Sequence, residues 1–151
     1  MGIELIKGVF FYPVEPIKTT GGKVLHAIKA LDKNLTEFGE CYFSICDYKQ
    51  PKAWKKHAKM ICNLFVPSGE VKFVFYDDRQ DSSDFGKVAE FSTSQNNYGR
   101  LVINPGIWFG FTGMSESENL ILNVANISHD ANESLRLEPG TNQIPYQWKF
   151  D

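Results

Sequence analysis

The sequence predicts an all-β fold, a sandwich or barrel with little helix. Three observations carry this. Short runs rich in Val, Ile, Phe and Tyr recur roughly every ten residues. Clusters of Pro, Gly, Asn and Asp punctuate them. Hydrophobic residues make up 42% and aromatics 14%, the composition of a chain that buries a core.

The elements follow in order. Ile3 to Tyr12 is apolar and β-prone, and Pro13 and Pro16 close it. Gly21-Gly22 is a turn, and "KVLHAIKAL" after it fits a strand or a short helix. "ECYFSICDY" is an aromatic strand ended by Pro51. "MICNLFV" runs into the turn Pro67-Ser68-Gly69, and "VKFVFYDD" is the next strand. "RQDSSDFG" is a polar loop, "VAEFSTS" a strand and "QNNYG" a turn. "RLVIN" leads through Pro105-Gly106 to "IWFGFTGM"; "SESEN" is a polar loop before the strand "LILNVANI". The closing "LEPGTNQIPYQWKFD" holds two prolines and reads as an irregular arm packed by Ile144, Tyr146 and Trp148. Such a strand-rich chain needs its edges closed or covered, which favours a barrel or double sheet.

A chain of 151 residues fits one domain, spanning 1–151. The formal net charge of −2 sets up no basic field, so nucleic acid is not an expected partner. No apolar run has the length of a bilayer span, so no membrane is expected either. The start, "MGIELIKGVFFYP", lacks the apolar core and cleavage site of a signal peptide. Gly2 lacks the Ser or Thr that myristoylation requires at position 6, where Ile6 stands. Cys41, Cys46 and Cys62 are odd in number and lack a C-x-x-C pair, which points away from a disulfide framework. A reducing cytoplasmic location is the expectation.

Two stretches carry a resemblance: "SGEVKFVFYDDRQDSSDFGK" from Ser68 to Lys87, and "LVINPGIWFGF" from Leu101 to Phe111. Together they resemble the cupin proteins related to dTDP-4-dehydrorhamnose 3,5-epimerase. In that family a G-E/K-V turn leads into a strand ending in D-x-R or D-D-R. A loop with S-x-x-x-G follows, then a block like I-P-x-G-x-x-H-G-F. Here Gly69, Glu70, Val71, Asp77 or Asp78, Arg79, Ser83, Gly86, Gly106, Gly110 and Phe111 fall in matching places. The closing "IPYQW" is similar to the I-P-Y-D-W of a shorter branch, which carries W-H-x-H where this chain has Trp54-Lys55-Lys56-His57. The resemblance covers Phe43 to Trp148. It implies a cupin-like double-stranded β-helix, a jelly-roll barrel with a ligand pocket in its mouth.

Many cupins hold a metal through His-x-His, a Glu and a later His. The corresponding residues here are Lys55, His57, Cys62 and Phe109. An ammonium has no lone pair to donate and a phenyl ring cannot ligate, so no metal is expected, and no cofactor. The epimerase branch works without metal. It removes a proton beside a sugar ketone and returns one from the other face. In that branch a histidine paired with an aspartate is the base, a lysine helps the enolate, and a tyrosine is the opposing acid. The histidine carries over to His57. The lysine falls near Cys62, the tyrosine on Leu122, and the aspartate beyond the final tryptophan.

A base of near-neutral pKa suits this chemistry, and histidine supplies one. Lys55, Lys59 and Asn63 share alternation parity with His57 along a straight strand, so each is a candidate enolate stabiliser or substrate contact. Like-charge repulsion from Lys55 or Lys59 would keep His57 neutral. Trp54 is a candidate pocket wall, and Trp108 a core or pocket-wall residue. Arg79 with Asp77 and Asp78 reads as a strand-end ion pair or a substrate clamp. Lys49, Lys52, Lys55, Lys56 and Lys59 form a basic face able to attract a diphosphate. His26 and His129 read as structural.

The resemblance implies a nucleotide-sugar epimerase or ketoisomerase of the 4-keto-6-deoxyhexose type, in dTDP-sugar and surface polysaccharide biosynthesis. The alternative is a non-catalytic cupin that binds a sugar or sugar nucleotide, the family tyrosine having been lost. The expected partner is a small-molecule nucleotide sugar. The expected assembly is a homodimer, with Ile3 to Tyr12 as the interface strand.

Overall fold

A computed structural model describes residues 1–32 and 37–150. The stretch read as one strand from Ile3 is a hairpin, β1 (Ile3–Ile6) and β2 (Val9–Pro13). Its turn rests on Gly8, whose φ of 91° suits a residue without Cβ. A small hairpin, β3 (Ile17–Thr19) and β4 (Gly22–Val24), follows, and "KVLHAIKAL" forms no helix. Next come β5 (Glu40–Cys46), β6 (Lys52–His57) and β7 (Cys62–Ser68). The strand continues through Pro67 to Ser68, and Gly69 at φ 76° makes the turn into β8 (Glu70–Tyr76). Then come β9 (Val88–Ser94), β10 (Gly99–Ile103), β11 (Trp108–Gly113) and β12 (Asn119–Ala125). A 3-10 turn (Ala131–Glu133) and β13 (Ser134–Arg136), both unforeseen, precede the irregular arm.

Two antiparallel sheets pack face to face. One has the order β1-β2-β10-β7-β12-β5, the other β13-β6-β11-β8-β9. Alternation of side chains decides what lies between them. From β8, Val71, Phe73 and Phe75 point inward to meet Val9, Phe11, Val66, Leu101 and Ile103, all at most 2% exposed. Val74 and Tyr76 point outward, where Trp54, Trp108 and the closing arm's Ile144, Tyr146 and Trp148 cover them. The arm is thus packed by the three residues expected. The outer face of the six-stranded sheet carries Phe65, Tyr98 and Val124, covered by Val14, Leu25, Ala27 and Ile28. Each large side chain fully buried in these layers contributes about 1.5–3 kcal/mol.

The expected all-β cupin architecture is what the chain adopts. The proposed interface strand needs revision, because β2 is hydrogen-bonded on both sides, to β1 and to β10. Within this hairpin it is the outer edge of β1 that lacks a neighbour in the sheet. Cys41, Cys46 and Cys62 are free thiols. Among the described residues, no helix is long and apolar enough to cross a membrane.

Candidate active site

A cavity of about 670 Å³ lies between the sheets, within the size range of small-molecule sites. One wall comes from β6, β11 and β13, through Lys52, Lys55, His57, Phe109, Phe111 and Arg136. The other comes from β5, β7 and β12, through Tyr42, Ser44, Cys62, Leu64, Ile121 and Asn123.

His57 closes β6 and is 8% exposed. Its ring lies over Phe109, centroids 5.9 Å apart and planes 28° apart. Its Nδ1 contacts Glu133 Oε1. The other oxygen of Glu133 accepts the backbone N–H groups of Ala58 (3.2 Å), Lys59 (3.0 Å) and Met60 (3.2 Å). Sequence reasoning missed Glu133 entirely, expecting the partner carboxylate beyond the final tryptophan. The residue sits 76 positions from His57 in a polar stretch with no pattern of its own. β13 brings it in by pairing Ser134 with His57, and Arg136 with Lys55.

This pair sets the protonation state of the site. Burial holds the His57 imidazole below its ordinary value of 6.5, outweighing the opposing pull of Glu133; Lys55 and Arg136 push the same way as burial. Burial would raise the carboxyl of Glu133, but His57 and the backbone N–H groups of Lys59 and Met60 bring it below its ordinary range. Both shifts favour neutral imidazole beside carboxylate. Nδ1–H then donates to Glu133, and Nε2 keeps a lone pair to accept a proton.

Lys55 lines the cavity, its ammonium pKa lowered by burial and then by Arg136. Cys62 stands on the facing wall, its thiol pushed up to about 12 by burial, so it is an apolar wall group and no nucleophile. The four residues at the cupin metal positions, Lys55, His57, Cys62 and Phe109, all line this cavity. Among the described residues, no group of three or more His, Cys, Asp or Glu is placed to hold a metal ion.

Four of the expected contacts need correction. Asn63 faces away from the cavity. Its Oδ1 accepts from Arg100 Nη1 at 2.9 Å, and its Nδ2 donates to the Val124 carbonyl at 3.0 Å. The reason is that the chain crosses from one sheet to the other between His57 and Cys62, and alternation does not carry through the crossing. Cys62 and Leu64 therefore share the interior with His57. Lys59 lies exposed in that crossing, outside the cavity lining. Trp54, expected as a pocket wall, does border the cavity, and its ring packs against Trp148 (5.3 Å) and Tyr146 (6.0 Å) of the arm. Lys56 also belongs outside, bound to Asp78 at 3.0 Å and lying over the Trp108 ring.

Arg79 is the fourth. It is held by Asp77, through Nε (2.9 Å) and Nη2 (2.9 Å), and by the Lys7 carbonyl (2.8 Å), away from the cavity. The ion-pair reading of "DDR" is the one the fold adopts. Arg79 holds the Asp77 carboxyl down to about 2 from 3.8. A carboxyl lowered on folding stabilises the protein above its unfolded pKa and loses this as pH falls through the folded value. Arg79→Ala should therefore lower stability by about 2 kcal/mol at neutral pH. Denaturant melts at pH 7 and pH 2 should show that gap shrinking at the lower pH. Substrate KM should not change.

No family model matches the chain. A solved dTDP-sugar isomerase from Desulfovibrio desulfuricans G20 is 32% identical, with a TM-score of 0.93 over 97% of this chain and 94% of that one. A probable low-salt glycan biosynthesis epimerase of Haloferax volcanii is 27% identical over 106 residues, 70% of this chain but 65% of that protein. The spore coat polysaccharide biosynthesis protein SpsL of Bacillus subtilis is 28% identical over 116 residues, 76% of this chain and 74% of that protein. By its identity and near-complete coverage with the Desulfovibrio protein, on the same two-sheet scaffold, the chain belongs to the dTDP-sugar isomerase family.

Proposed function

We propose that this chain is a nucleotide-sugar epimerase or ketoisomerase acting on a 4-keto-6-deoxyhexose, by metal-free proton abstraction beside the ketone, in dTDP-sugar supply for surface polysaccharide. The observation that carries this is the buried His57–Glu133 pair, whose imidazole lines a cavity large enough for a sugar. In this reading Nε2 of His57 takes the proton from the carbon next to the ketone. The electrons move into the carbonyl to form an enolate, and the resulting imidazolium is stabilised by Glu133. Lys55, from the same wall, donates to the enolate oxygen. Arg136 and Lys52 add positive charge to that wall and suit the diphosphate. Leu64, Phe109, Phe111 and Ile121 supply the apolar surface that a 6-deoxy ring presents its methyl group to.

The test is proton exchange. Incubated with dTDP-4-keto-6-deoxyglucose in heavy water, the protein should introduce deuterium at C3 or C5, followed by NMR. Absence of uptake with this and related keto sugars would remove the enzyme reading. Leu122, at the family's tyrosine position, packs on the outer face with Phe65 and Val124, and favours a second reading of binding without turnover. That reading expects thermal stabilisation by the nucleotide sugar that survives His57→Ala, with no exchange in either protein. We also propose a homodimer through the free edge of β1, which light scattering would refute by finding a monomer.

A further inference from the structure

We infer that Tyr42, oriented by Asn123, is the proton donor facing His57 across the cavity, and that the reaction is therefore an inversion at carbon. This rests on the epimerase reading above and names the group it leaves open. The two side chains come from different strands and different sheets: Tyr42 from the edge strand β5, His57 from β6. Both line the cavity.

Hydrogen-bond polarity fixes the phenol. Asn123 lies directly opposite Tyr42 in the β12–β5 register. Its Oδ1 accepts the backbone N–H of Asn63 at 3.2 Å, so turning the amide round would set its own N–H group against that donor. Its Nδ2 is thereby directed to the Tyr42 hydroxyl at 3.0 Å. An amide N–H can only donate, so the phenol oxygen accepts. The phenol's own proton is left to be given to something else. Burial raises the pKa of Tyr42, and the phenol stays protonated at neutral pH. Tyr42 is nevertheless 40% exposed, so solvent reaches it after it has given up its proton.

The balance of the step is closed. His57 removes the C–H proton and becomes imidazolium, and the C–H electrons form the enolate. The enolate collapses to the ketone as its carbon takes the phenol proton from the opposite face, leaving tyrosinate. The imidazolium proton and the tyrosinate are exchanged with solvent, which restores both groups. A ketoisomerisation run by one base would deliver its proton to the neighbouring carbon on the face it came from, and would leave Tyr42 no carbon to protonate.

Tyr42→Phe separates these steps. Deuterium uptake should persist within a few-fold of wild type, since His57 can remove and return protons on its own face. Inverted product should fall about 100-fold or more. Asn123→Asp tests the orientation. A carboxylate there accepts the Tyr42 O–H instead of donating to it, so inversion should fall with uptake retained although the tyrosine is present. Thermal melts of both variants check folding. Inversion at the wild-type rate in Tyr42→Phe would overturn the assignment, and so would equal loss of uptake and inversion. A wild-type protein that exchanges no deuterium would defeat the epimerase reading and this one with it. An active wild type with unimpaired Tyr42→Phe defeats only this one.

Discussion

Deuterium uptake beside the ketone should fall by about 10²–10⁴-fold when His57 is replaced by asparagine. The amide can keep a hydrogen bond to Glu133 but has no basic lone pair for carbon acid chemistry. Binding of the nucleotide sugar, set by Lys52, Lys55, Arg136 and the apolar wall, should survive. A binding titration beside the exchange assay checks this, and unchanged uptake in His57→Asn would remove His57 from the mechanism. The wild-type pH profile carries the same information. The base must be neutral, and burial holds its pKa below 6.5. The acid limb of kcat/KM should therefore lie below pH 6.5, and at pH 7 the base is already in its working form.

The second large effect is expected at Glu133. Its carboxylate takes the His57 Nδ1–H and three backbone N–H groups where the chain crosses between sheets. Glu133→Ala leaves these donors, two of them buried, without an acceptor, and the cost should be about 3 kcal/mol. Exchange activity should fall about 100-fold, because the imidazole loses the group that holds its tautomer and stabilises its cation.

The pH dependence of stability has a definite sign. Glu133 has its pKa lowered on folding, so its contribution is present above the unfolded value near 4.5 and is lost as pH falls through the folded one. His57 is also lowered, so the unfolded chain takes up its proton first as pH drops below 6.5. Both groups make the wild type less stable on acidification. Chemical melts from pH 7.5 to pH 5.5 should show the wild type losing stability relative to His57→Asn, which has no imidazole for the unfolded chain to protonate. A wild type that gained on His57→Asn as pH fell would contradict the assigned charge states.

The fold was largely legible along the chain. Strand positions such as Glu70–Tyr76 and Val88–Ser94 follow from β-branched and aromatic runs between turn residues, and these signals are local. The Lys7-Gly8 turn was hidden because apolar residues flank it on both sides. β13 was missed because three residues in a polar stretch carry no period; the strand exists through its pairing with β6.

Which residue types stand at the counted cupin positions, Lys55, His57, Cys62 and Phe109, could be read along the chain, and the structure places all four on one cavity. The site around them could not. Asn63 was placed beside His57 by parity, but parity holds only within one strand, and the chain changes sheet between the two. Arg79 is drawn into a strand-end pair with Asp77 that its neighbours in sequence already allowed. Glu133 and Arg136 reach the His57 end of the site only through the pairing of β13 with β6, and Tyr42 and Asn123 share its cavity only because two sheets close over it. Sequence by itself determined which chemistry the residues could perform, since a side chain's acidity and lone pairs belong to its type. Tertiary structure alone decided which groups face each other, because burial, hydrogen-bond polarity and the wall a strand belongs to are set by long-range pairing.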